Sequence, residues 1–111
     1  MRTRKTGRIR VEDSSGNIFR DLGFPHAERE QLKADLTLQI YRLIKQRGLT
    51  QARAGEILGI QQPHVSALMR GRSGAFSVER LMQFLTALGQ DVEITVRPAR
   101  KRQGALSVSA R

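Results

Sequence analysis

The chain has 111 residues, no cysteine and a formal net charge of +10. It is sized for one domain with flanking segments. The missing cysteines exclude a disulfide framework and a thiolate metal site, and no apolar run is long enough to cross a membrane as a helix. The positive charge is concentrated. Residues 1–10 and 97–111 carry five bases each and no acid, while residues 11–96 hold ten of each sign. Inside that neutral body, residues 42–72 carry six bases against the single acid Glu56. Basic flanks around a basic patch fit a polyanionic partner. No apolar run follows MRTRKTGRIR, so it is not a secretory signal, and the cytoplasm is the expected location.

In chain order, residues 1–15 read as a basic flexible arm, with Ile9–Val11 a candidate short strand. Asp13 to Asn17 is dense in turn formers. Ile18, Phe19, Leu22 and Phe24 are apolar at mixed spacing, which predicts a loop or single helical turn against the core. A first helix is predicted over 26–47. Pro25 precedes it, Glu28 and Glu30 suit its positive end, Leu32, Leu36, Ile40, Leu43 and Ile44 mark its buried face, and Gly48 stops it. Thr50 caps a second helix over 51–58, with Ala54 and Leu58 on its inner face. Gly59 suits the left-handed turn that ends it. A third helix covers 62–70, with Pro63 in its first turn, Val65 and Leu68 facing inward, and Gly71 at its end. Ser77 caps a fourth over 78–88, whose buried face is Leu81, Phe84, Leu85 and Leu88.

The period then changes. Val92, Ile94 and Val96 alternate with polar residues through Asp91–Arg97, the pattern of a half-buried strand. A strand needs a neighbour, and the candidates are Ile9–Val11 or the same strand of a second copy, which would make a two-fold dimer. Residues 98–111 read as a basic flexible tail.

The two short helices around Gly59 carry the candidate chemistry. The order Gln51–Ala54–Leu58–Gly59–Ile60–Val65–Ser66–Leu68–Gly71 resembles the Cro and phage-repressor (XRE) helix-turn-helix family. The wider layout, with its turn at 14–17 and its strand after the last helix, is similar to small regulators that include HigA-type antitoxins. The expected fold is mainly α. It is a compact four- to five-helix helix-turn-helix domain over 16–97 with a C-terminal β-strand used in dimer pairing, between the arm at 1–15 and the tail at 98–111.

The resemblance implies that the helix at 62–70 lies in a major groove of double-stranded DNA and that the helix at 51–58 crosses the backbone. Gln51 then holds a phosphate. Gln61 and Gln62 are placed for bidentate pairing with adenine, and Ser66 and Ala67 follow one turn on. His64 approaches a base or a phosphate, Arg70 and Arg72 reach phosphates, and Arg53 and Lys45 add backbone contacts. The implied partners are DNA, a second copy and, in the antitoxin reading, a small toxin protein that Ile18, Phe19, Leu22 and Phe24 would meet. Gly55 stands where the family usually has alanine and is expected to be merely tolerated, at about 1 kcal/mol of helix propensity. His26 and His64 have no companions for a metal site. No nucleophile–base pair or phosphate-binding glycine loop stands out, so neither a cofactor nor enzymatic activity is expected.

Overall fold

A computed structural model of the chain describes residues 26–110. The expectations for the arm at 1–15, the turn at 14–17 and the apolar residues at 18–24 lie outside the described residues.

Four helices follow in order: α1 His26–Gln46, α2 Gln51–Leu58, α3 Gln62–Met69 and α4 Val78–Ala87. The stop signals act as read. Each helix ends at a glycine in the left-handed region, Gly48, Gly59, Gly71 and Gly89. Three of the four ends close in the same way, and α2 differs in that the N–H groups of Gly59 and Ile60 both donate to the Gly55 carbonyl. Gly71 N–H donates to the Leu68 carbonyl at 2.9 Å and Arg72 N–H to that of Ala67 at 2.9 Å, so the last carbonyls of α3 are satisfied without water. The starts are equally local: the hydroxyls of Thr50 and Ser77 accept from Arg53 N–H and Arg80 N–H, each at 3.0 Å.

The apolar stripes meet in one core. α1 supplies Leu32, Leu36, Ile40 and Ile44, α2 Ala54 and Leu58, α3 Val65 and Leu68, and α4 Val78, Leu81, Met82, Phe84 and Leu85, with Leu88 at its cap. Leu43, expected inside α1's buried face, is half-buried at the edge of this cluster. α1 packs chiefly on α4, and α2 chiefly on α3. The buried stripe of α1 also takes in two polar residues. Thr37 Oγ1 donates to the Lys33 carbonyl at 2.8 Å, and Lys33 Nζ lies 4.0 Å from Glu30 Oε2. Both polar groups are therefore partnered within their own helix.

Gly55 corrects one expectation. Its carbonyl accepts from Gly59 N–H at 2.8 Å and Ile60 N–H at 3.0 Å, so the turn folds tightly over the end of α2. A Cβ built on Gly55 would stand 2.7 Å from the Ile60 carbonyl oxygen. Alanine does not fit this turn as it stands, and glycine is required there rather than tolerated.

The strand expected at 91–97 is not formed, and no β-strand occurs among the described residues. The alternation is real in part: Val92 and Ile94 are half-buried between exposed Asp91, Glu93 and Thr95. Alternation decides which side chains turn inward. A strand also needs a second backbone for its N–H and C=O groups, and no described segment supplies one. The expected C-terminal β-strand, and dimer pairing through it, is therefore withdrawn.

The segment instead runs back along α1. Gly89 lies beside Arg47 at the C-terminal end of α1, its built Cβ 3.4 Å from the guanidinium. Leu106 N–H donates to Glu28 Oε2, at the other end of that helix, at 3.4 Å. Val92, Leu106 and Val108 pack on the core. Between them the chain bends at 100–103, which brings Gly104 to within 3.7 Å of Ala99 Cβ as measured from a built Cβ.

Candidate nucleic-acid interface

The candidate surface is built by α2, α3 and the turn between them. Gly59, at φ 74° and ψ 33°, turns the chain so that only three residues separate the end of α2 from the start of α3. Ile60 is half-buried against the core behind the turn, and this anchors the angle between the helices. Val65 and Leu68 hold α3 by its inner face, at 0% and 1% exposure. Met69 packs at the edge of the core, and the opposite side of α3 is left to present side chains outward.

Most of the candidate residues from the sequence fall on this surface. Gln51 opens α2 and is half-buried. Gln61 is the N-cap of α3 and makes no side-chain capping bond. Gln62 and His64 occupy the first turn of α3 and are exposed, Ser66 and Ala67 are half-buried one turn on, and Arg70 and Arg72 are exposed around Gly71. Arg53 lies on α2 and pairs with Glu56, Nη1 to Oε1 at 2.8 Å. Both side chains of that pair are more than 60% exposed, so an anion could take over the guanidinium at little cost. Arg70 Nη1 donates to Ser66 Oγ across one turn of α3.

The sequence reading passed over Phe76. This residue sits in the connection from α3 to α4, where its N–H donates to the Ser73 carbonyl at 3.0 Å. Its ring meets His64 edge to face, with centroids 6.0 Å apart at 81°, and Phe84 likewise, at 5.0 Å and 79°. Arg80 completes the row, its guanidinium 4.9 Å above the Phe84 ring. The first turn of α3 is thus tied through Phe76 to the core of α4. A lone aromatic in a loop gives no periodic signal. The only cue was its place directly before the Ser77 cap.

Among the described residues no group of three or more His, Asp or Glu side chains is placed to hold a metal ion. No helix there is long and apolar enough to cross a membrane.

Comparison with known proteins matches this geometry. Residues 18–97 match the model of a helix-turn-helix domain family. A solved chain whose name designates it an XRE family transcriptional regulator is 44% identical, with a TM-score of 0.69, over 78% of this chain and 97% of that one. The chain belongs to the XRE-type helix-turn-helix family. No curated protein sequence matches it. As an XRE-type member it is a DNA-binding protein of transcription regulation, with α2 and α3 as its helix-turn-helix pair. The matched stretch begins ahead of α1 and stops at Arg97, before the bend at 100–103. The contacts that Leu106 and Val108 make with the core lie outside that stretch.

Proposed function

We propose that this chain is a sequence-specific repressor that works as a homodimer, with α3 of each copy in successive major grooves of one operator. One observation carries the reading. α3 is held to the core by Val65 and Leu68, with Met69 packed at its edge, and its outward side presents Gln62, Ser66, Ala67 and Arg70 beside the uncapped amide of Gln61. Gln62 then pairs with a base, Gln51 and Arg72 hold phosphates on either side, and Arg53 leaves Glu56 for the backbone. The domain at 16–97 does the reading, and the bases at 1–10 and 97–102 strengthen attraction to any duplex. A homodimer reads half-sites about one helical turn apart. The test is a footprint with Gln62→Ala alongside. We expect a two-fold symmetric protected site, and a loss of preference at one position per half-site in the variant. An asymmetric footprint, or an unchanged preference in Gln62→Ala, would sink this reading.

A second reading, an antitoxin that also binds a small toxin protein, draws on the similarity to HigA-type regulators and on one observation. Leu38 and Tyr41 are exposed within one turn of each other on α1, at 43% and 37%. An apolar pair on an outward face suits a protein partner. Co-expression with the product of the adjacent reading frame tests it. Co-purification that is lost in Leu38→Asp supports the antitoxin reading, and separate elution removes it.

A further inference from the structure

Successive residues of an α-helix are rotated by about 100°. Val65 and Leu68 form the buried side of α3, so Pro63, Ser66, Ala67 and Arg70 stand opposite them, with Gln62 at the edge. Three of those four side chains are short and end close to the helix surface. Arg70 alone has both reach and a set of five donors.

Its place next to Gly71 favours a phosphate at the end of the helix. The structure turns it the other way. The guanidinium folds back along α3, and Nη1 donates to the hydroxyl of Ser66, four residues earlier. This brings one edge of the guanidinium to Ser66, on the outward side of α3. Ser66 engages one of five N–H groups. Among the described residues no carboxylate is paired with this fork. A planar fork held in the middle of a reading surface matches guanine, whose O6 and N7 accept two parallel N–H bonds.

We infer that Arg70 is a base-reading residue with guanine as its target, and that Ser66 is the positioning residue that aims it. The assignment rests on the proposed reading role of α3.

The experiment is a selection of bound duplexes from a random pool with the full chain and with Arg70→Ala, Arg70→Lys and Ser66→Ala. Affinities for the selected site are then measured at two salt concentrations. Thermal melts confirm that the variants, all changed on the exposed side of α3, remain folded. The wild type is expected to select a G·C pair in each half-site and to prefer it by roughly ten- to a hundred-fold. Arg70→Ala loses that preference and keeps the others. Arg70→Lys keeps the charge without the planar fork and weakens that preference. Ser66→Ala weakens the guanine preference several-fold. The inference is overturned if Arg70→Ala weakens all sequences alike, lowers the salt slope by about 1 and is rescued by lysine, since that is a phosphate contact. A consensus unchanged in Arg70→Ala removes Arg70 alone. An unchanged guanine preference in Ser66→Ala removes the positioning role. A wild type that selects no consensus removes the reading function itself, and this assignment with it.

Discussion

Gly55 and the carbonyl oxygen of Ile60 leave no room between them for a methyl group: a Cβ on Gly55 would lie 2.7 Å from that oxygen. The obstacle is backbone, so it cannot swing aside as the end of a side chain does. Gly55→Ala must therefore open the turn between α2 and α3. Overpacking of this kind costs about 1–3 kcal/mol, against about 1 kcal/mol gained in helix propensity. We expect net destabilisation of up to about 2 kcal/mol in urea unfolding. A stabilised variant would mean that propensity wins and the turn yields freely.

Gly59 has the opposite problem. Nothing lies within 4 Å of a Cβ built there, but its φ is 74°. Gly59→Ala should cost about 1–2 kcal/mol from the left-handed conformation alone, and Gly59→Asn less, since asparagine tolerates that region better. Equal melting temperatures for the two variants would contradict a purely conformational cost.

The His64–Phe76 contact should appear as a coupling energy. His64 is exposed, so His64→Ala alone should change stability by less than about 0.5 kcal/mol. Phe76→Ala should cost about 1–3 kcal/mol, because it also strips Phe84 of an edge-to-face neighbour. The double variant should fall short of additivity by about 0.5–1 kcal/mol. Strict additivity would leave the two rings as neighbours without interaction.

How much of this was legible in the sequence depended on whether the signal was local. Helix ends were legible to within a residue or two because their causes lie within four residues, as Thr50 with Arg53 and Gly71 with Leu68 show. The inward face of α3 was legible for the same reason. The strand at 91–97 was over-read. Val92 and Ile94 do face inward, but pairing depends on a distant backbone that alternation does not report. Phe76 and Leu106 were missed because each lies in a connection without helical period, and their partners, His64 and Glu28, are set by the fold and not by spacing. Arg70 illustrates the limit at the site itself. Its presence was plain, whereas its direction is set by the Ser66 hydroxyl one turn away and became visible only in three dimensions.

Leu106 and Val108 give the segment after Arg97 a structural duty. Leu106→Ala should lower stability by about 1 kcal/mol, in keeping with a half-buried leucine. Deletion of 104–111 should lower it further by also removing Val108 and the bond to Glu28. Replacing Arg100, Lys101 and Arg102 with glutamine should leave the melting temperature within about 2 °C, since all three are exposed at the bend and surface changes of this kind are usually small. A deletion that melts like the full chain would show that the segment is not docked in solution.

The two turns of α3 divide their labour by side. Val65 and Leu68 commit one flank to the core and are closed to change, while exposed Gln62 and Arg70 and half-buried Ser66 and Ala67 face the other way. Descendants of such a chain can drift to a new operator through four outward positions while the scaffold stays fixed. Gene copies arising by duplication could then acquire separate targets without passing through an unstable intermediate.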